Sequence, residues 1–323
     1  MTTPSADFPL GTSPRVTRTV REALLPPGSV VAIGSFDGVH LGHQAVLDHA
    51  IELRHTLGQK GEVAALTFDP HPAKVLAPEL APALICTTEQ RVQWLGEAGA
   101  DRVILQPFDR TLAGISAADF VGDILVGQLR AAGIVVGFDF TFGKGGEGNV
   151  ALLREEGARR DVRVVVVEPY HKDGMLVSST KIREFVLSGR VYGALTLLGR
   201  PFQLSGPVVR GAGRGRSLGF PTANVAWVQE LVPAHGVYAA RARVDGELVD
   251  AAVSIGIVPT FGHDNAVTVE AYLLDFSGDL YGKTICLELV RRLRPEKRFH
   301  GPEELVTQIT EDVKQVRDIL LTL

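Results

Sequence analysis

Five short runs dominated by apolar and β-branched residues punctuate the first half of the chain: Val30–Ile33, Val63–Phe68, Arg102–Leu105, Ile134–Gly137 and Val162–Val167. Between them lie stretches of helical period, His43–Leu57, Glu89–Ala98, Ala117–Leu129 and Val150–Arg159. Strands that read as unbroken apolar runs are buried on both faces. Alternating with helices, they build a parallel sheet covered on both sides. In such sheets ligands bind beyond the carboxyl ends of the strands, so the turn after each run is where chemistry is expected.

Beyond about Leu187 the rhythm changes. SGRVYGALTLLGRP reads as a short helix ending at a glycine, and strand-like runs separated by turns come after it. Val237–Val244 and Leu248–Ile255 flank an Asp245-Gly246 pair, a strong hairpin signal. Val267–Phe276 and Thr284–Leu293 are two further strands, and helical period returns from Pro302. The reading is an antiparallel barrel or sandwich closed by a C-terminal helix. The expected division is residues 1–187 and 188–323.

A chain of 323 residues accommodates two such cores. A net charge of −4 gives no electrostatic case for nucleic acid or an anionic membrane. No apolar run approaches the 18–20 or so residues of a membrane span, and the N-terminal residues lack the pattern of a signal peptide. Two cysteines 200 positions apart, Cys86 and Cys286, make neither a disulfide framework nor a cysteine metal cluster. A cytoplasmic protein with no obligate protein partner is expected.

GSFDGVHLGH, Gly34–His43, comes directly after the first strand and enters a helix. Free amides and the dipole at a helix start favour phosphate there, and glycines allow close backbone approach. His40 and His43 fall on one helical face, where imidazoles can bind metal or donate to phosphate. Zinc wants a third ligand, and none is marked. GFDFTFGKGGEGN, Gly137–Asn149, lies after another strand; Gly145 after Lys144 breaks any Walker A match. TFDPHP ends a further strand, where His71 alone is weak. VSSTKIREF sets hydroxyls before Lys181 and Arg183, either as a helix cap or as a polyphosphate grip. In the second half, VVRGAGRGRSLGFPTANV combines glycines with Arg210, Arg214 and Arg216 and continues into Thr222 and Asn224. On an extended segment those two point to the same side, with oxygens suited to Mg²⁺ and phosphate. Glu270, inside an apolar strand, is either a solvent-facing residue or a general base.

As an ordered set these motifs resemble the bacterial bifunctional riboflavin kinase/FMN adenylyltransferases. GSFDGVHLGH, TFDPHP, GFDFTFG and SSTKIR resemble the adenylyltransferase module; GRSLGFPTAN, GVYAA, SIGIVPTFG, VEAYLLDF and DLYG resemble the kinase module. The resemblance implies an α/β Rossmann-like nucleotidyltransferase domain followed by an antiparallel six-stranded β-barrel with a C-terminal helix. It implies riboflavin, FMN, FAD and ATP as substrates and products, with Mg²⁺ accompanying ATP. Carried over by motif, His40 and His43 would act on the ATP phosphates, and Ser179, Thr180 and Arg183 would hold the polyphosphate. Gly34, Phe36, Asp37 and Asp139 would lie against nucleotide and flavin. In the kinase, Gly213, Arg214 and Gly215 would contact nucleotide, Thr222 and Asn224 would hold Mg²⁺-ATP, and Glu270 would deprotonate the flavin's ribityl hydroxyl. The family often has histidine after this glutamate; here Ala271 stands in that place, with Tyr272 beyond.

Two other readings have less behind them. One is an adenylyltransferase with a passive barrel; the other is a regulator that binds flavin without turning it over. The intact Thr222, Asn224 and Glu270 argue against the first, and the retained histidines against the second.

Overall fold

The computed structural model describes residues 13–58, 60–211, 215, 218–258 and 266–322. Their contacts divide the chain into two compact units, Leu10–Ser179 and Thr180–Leu323.

In the first unit, strands β1 (Arg15–Thr17), β2 (Val30–Ile33), β3 (Val63–Asp69), β4 (Arg102–Pro107), β5 (Gly133–Gly137) and β6 (Arg163–Val167) form one sheet of order β1-β4-β3-β2-β5-β6. Every pairing in it is parallel. Successive side chains of a strand point to opposite faces, and the two cores show it. Val31, Ile33, Leu66 and Ile134 pack with Phe120 and Leu153 on one face. Val30, Ala32, Ala65 and Val135 pack with Leu47 and Trp94 on the other. Helices α1 (Leu41–Thr56), α2 (Pro72–Leu76) and α3 (Thr88–Glu97) connect the early strands. Thr87 and Gln90 form a reciprocal capping box at the start of α3.

Two features differ from the sequence expectation. β1 was not anticipated, because three residues at a sheet edge carry no period; its pairing with β4 makes it a strand. The helix expected over Ala117–Leu129 is α-helical only at Ala117–Asp119 and continues as a π-helix over Phe120–Gln128. The apolar period does not encode that change of hydrogen-bond register. The chain runs outward from β2 through β3 to β4, then returns to place β5 on β2's other side. The crevice at the carboxyl ends of β2 and β5 is therefore the topological switch point, where open α/β sheets bind ligands.

In the second unit, α4 (Val191–Leu198) precedes six strands: β7 (Phe202–Val209), β8 (Ala223–Val225), β9 (Gly236–Val244), β10 (Glu247–Val258), β11 (Ala266–Leu273) and β12 (Thr284–Arg294). They close into a barrel of order β8-β11-β10-β9-β12-β7, all antiparallel, which excludes the sandwich alternative. Asp245 and Gly246, both at positive φ (49° and 90°), make the tight β9–β10 hairpin turn. The C-terminal helix α5 (Pro302–Leu320) lays Val316 and Leu320 over Ala239 and Val290 of the barrel wall. Its buried Asp312 receives Arg294 from β12 in a bidentate pair, with Nη2 at 2.7 Å and Nε at 2.9 Å. That pair pins the helix to the wall.

Candidate active sites

At the end of β2 the backbone is strained. Phe36 (φ 49°) and Val39 (φ 38°) both occupy the left-handed region that non-glycine residues avoid, at about 1–3 kcal/mol each. Such strain persists only where the surroundings over-determine it. Ser35's carbonyl oxygen accepts from Thr67 Oγ1 at 2.9 Å and Arg91 Nη1 at 3.1 Å. The Asp37 carboxylate, 2% exposed, accepts from Ile85 N–H at 2.9 Å and Cys86 N–H at 3.4 Å. Cys86 Sγ accepts from Gly38 N–H at 3.1 Å. The Asp37 carboxylate thus ties the turn to the backbone before α3. Gly38 is at φ 80°, and a Cβ there would press on Ile85.

This turn sets the start of α1. His40 is its N-cap: its Nδ1 accepts from His43 N–H at 3.2 Å, so the neutral ring carries its proton on Nε2 as a donor. The two imidazoles stack, 3.6 Å between centroids and 14° between planes, with Phe36 edge-on to His43. His71 caps α2 in the same way, accepting from Ala73 N–H. Ser179 Oγ donates to the Asp37 carbonyl at 3.2 Å, bringing the SSTKIR motif to the turn 142 positions away in sequence. From Ser179 a helix runs to Leu187; Thr180 opens it exposed, and Arg183 stands one turn on, half-buried. Beyond β5, Asp139 is exposed while Phe140 and Phe142 stack toward the core. Gly34, half-buried, leads from β2 into the turn. Sequence reasoning singled out neither Thr67 nor Arg91. The capping-box pattern TTEQ marks the helix start, but nothing in it marks Arg91 as buried.

In the barrel, Glu270 on β11 pairs directly with Asn224 of β8 on one side and Ser254 of β10 on the other. Its strand neighbours Val269 and Ala271 are buried, so Glu270 stands on the outer wall. That wall is partly covered, and Glu270 is half-buried. Phe220, Phe299, Leu305 and Ile309 roof a cavity of about 310 Å³ over Glu270 and Tyr272. Thr222 Oγ1 donates to Glu270 Oε2 at 3.1 Å, leaving Oε1 for another donor. A second cavity of about 370 Å³ opens on the other side of Thr222, beside Pro221, Phe276 and Tyr281. Among the described residues, Thr222 is the one that lines both. Asn224's side-chain amide lies under Gly211, where any Cβ would collide with it. Gly215 borders the cavity over Glu270, and its carbonyl accepts from Leu218 N–H and Phe220 N–H. Gly213, Arg214 and Arg216 lie outside the described residues. No cluster of three or more His, Cys, Asp or Glu side chains that could hold a metal occurs among the described residues.

A parallel sheet with two stacked imidazoles at its switch point, joined to a barrel with two cavities meeting at a hydroxyl, is the frame of a two-domain transferase. The comparisons specify which. Residues 23–181 match the FAD synthetase family model, and residues 198–320 match the riboflavin kinase family model. The bifunctional riboflavin kinase/FMN adenylyltransferase of Pseudomonas fluorescens is 39% identical over 290 residues, covering 90% of this chain and 92% of that protein. The Escherichia coli K12 protein of the same description is 37% identical over 294 residues, with 90% and 92% covered. The chain belongs to the bifunctional riboflavin kinase/FMN adenylyltransferase family. A crystal structure titled as a macrolide-efflux protein from Streptococcus pneumoniae also matches, at TM-score 0.85 and 29% identity, covering 95% of this chain and 99% of that one. Among the described residues, no helix of this chain is long and apolar enough to cross a membrane.

Proposed function

We propose that the barrel phosphorylates riboflavin to FMN and the parallel-sheet domain adenylylates FMN to FAD, each with ATP. The observation that carries the kinase half is Thr222, standing between two cavities with Glu270 on one side. The aromatic and aliphatic cavity over Glu270 and Tyr272 suits a planar flavin; the other suits ATP. Glu270 Oε1 takes the proton from the ribityl hydroxyl as its oxygen attacks the γ-phosphorus, and ADP leaves. Thr222 holds Oε2 and so fixes which carboxylate oxygen faces the substrate.

A hydroxyl and an amide oxygen two apart at a strand start fit Mg²⁺, which takes hard oxygen ligands and leaves most positions to water and phosphate. Thr222 and Asn224 would hold it, and when bound it neutralises charge on the transferred phosphoryl group. The Gly213–Gly215 segment, with Arg214, would contact the nucleotide.

In the other domain the attacking group is already an anion, the FMN phosphate, so no base is needed. It attacks the α-phosphorus of ATP and pyrophosphate leaves. His40 and His43 donate to the phosphates at a helix N-terminus, a preorganised charge stabiliser. Ser179, Thr180 and Arg183 grip the polyphosphate, and Gly34, Phe36, the Asp37 backbone and Asp139 border nucleotide and flavin. The protein works in the cytoplasm. Incubating it with riboflavin, ATP and Mg²⁺ and separating products by mass should yield FMN, ADP, FAD and pyrophosphate. With FMN supplied in a second reaction, FAD from FMN but no turnover of riboflavin would favour the passive-barrel reading, and turnover of neither the regulator.

A further inference from the structure

We propose that Arg91 is a positioning residue of the adenylyl-transfer site, acting through the carbonyl oxygen of Ser35 to hold the strained turn over residues 35–39. Arg91 sits in the first turns of α3 and is 3% exposed, although its neighbours in TTEQRVQWL read as an ordinary amphipathic helix. Its guanidinium is poorly compensated. Nη2 reaches Thr88 Oγ1 of its own helix at 3.5 Å and lies 3.9 Å from the Asp69 carboxylate, whose side chain is 43% exposed, and Nε has no hydrogen-bond partner among the described residues. Its one short contact to another element is Nη1 to the Ser35 carbonyl, at 3.1 Å. Burying a cation with so little pairing is costly, and what it secures is a single backbone oxygen at the entrance to the turn.

Holding that oxygen holds the rest of the turn. Ser35 precedes Phe36 and Val39, both at positive φ, and the turn ends at His40, which caps α1 and stacks on His43. Besides Ser179 on the Asp37 carbonyl, the anchors on the turn are Thr67 on β3, Ile85 and Cys86 before α3, and Arg91 within it. Arg91 contributes the charged donor among them. Releasing Ser35 lets the turn relax toward ordinary backbone angles and moves the imidazoles off the phosphates. A misplacement of about 1 Å in a catalytic array costs on the order of 10²-fold in rate.

The inference rests on reading this site as the adenylyl-transfer centre. Conversion of FMN and ATP to FAD by the wild-type chain tests that reading by itself, before any variant is compared. The variants are Arg91→Met, Arg91→Lys and Thr67→Val, each assayed for FAD formation over a range of ATP concentrations and for FMN formation from riboflavin. Arg91→Met should lower kcat for FAD formation by about 10–10²-fold, more than it raises KM for ATP. Arg91→Lys, which keeps a charged donor, should recover most of that kcat. Thr67→Val, which removes the other donor to the same oxygen, should also lower kcat, and the double variant should lose less than the product of the two singles. FMN formation should hold throughout. The proposal is overturned if Arg91→Met keeps kcat within about twofold, if Arg91→Lys is as impaired as Arg91→Met, or if both activities fall together. Should Arg91→Met fail to fold, wild-type kcat in Thr67→Val overturns it equally.

Discussion

Glu270 and His43 stand in different chemical positions, and substitutions should separate them. Glu270→Gln keeps the size of the side chain and its place beside Thr222 but cannot accept a proton. Phosphorylation of riboflavin should fall by about 10²–10⁴-fold, ATP affinity should change little, and FMN supplied directly should still become FAD. Normal FMN formation by this variant would return Glu270 to the role of a wall residue. His43→Ala removes one of the stacked imidazoles at the start of α1. FAD formation should drop by about 10²–10³-fold, the usual loss for a preorganised donor, while FMN formation continues. FAD synthesis within a factor of about two of wild type would remove the histidine from the mechanism. At this scale the sequence was informative about residue types and silent about surroundings. Thr222 and Glu270 are 48 positions apart, and only barrel closure makes them hydrogen-bond partners. Nothing local to the helical stretch Glu89–Ala98 shows that Arg91 meets the ends of β2 and β3.

Among the elements, the barrel strands carry a pH response. Burial pushes the Cys286 thiol on β12 from 9 up to about 12, with the Glu288 carboxylate adding and Arg243 opposing. Burial likewise pushes the Tyr238 hydroxyl on β9 from 10 up to about 12, against the Arg292 cation. Each folded group keeps its proton where the unfolded chain has lost it. Their contribution is therefore whole below about pH 9 and is lost as pH rises toward about 12. Melting temperature should fall across that window, and Cys286→Ala should flatten the first part of the fall, from about pH 9 to 10, where the tyrosine has yet to titrate. An unchanged slope in the variant would show that the thiol is not held protonated. The legible elements were those whose pattern is local. β2 to β6 read as apolar runs because both sheet faces are covered, and Asp245-Gly246 read as a turn because both residues accept positive φ. β1 and the π-helical register of Phe120–Gln128 have no local pattern to read.

For the whole molecule, the two compact units imply separable folding. α4 buries Val191, Ala194, Leu197 and Leu198 in the barrel unit. The helix before it belongs there too: Gly193 leaves room for Phe185, and the Val186 carbonyl accepts from Ala234 N–H. A fragment of residues 180–323 should fold and phosphorylate riboflavin, while one of residues 189–323 should melt lower for want of those contacts. An inactive 180–323 fragment beside an active full chain would mean that the kinase depends on the other domain. The sequence alone determined the change from alternating strands and helices to successive strands, the order of the motifs and the hairpin turn. Each of these depends on backbone preference and side-chain period over a few residues. Tertiary structure decided that the six strands close, that the wall bearing Glu270 is roofed by α5 and Phe299, and that Ser179 meets the Asp37 carbonyl. Those outcomes depend on contacts between residues tens to more than a hundred positions apart, which no local window of sequence contains.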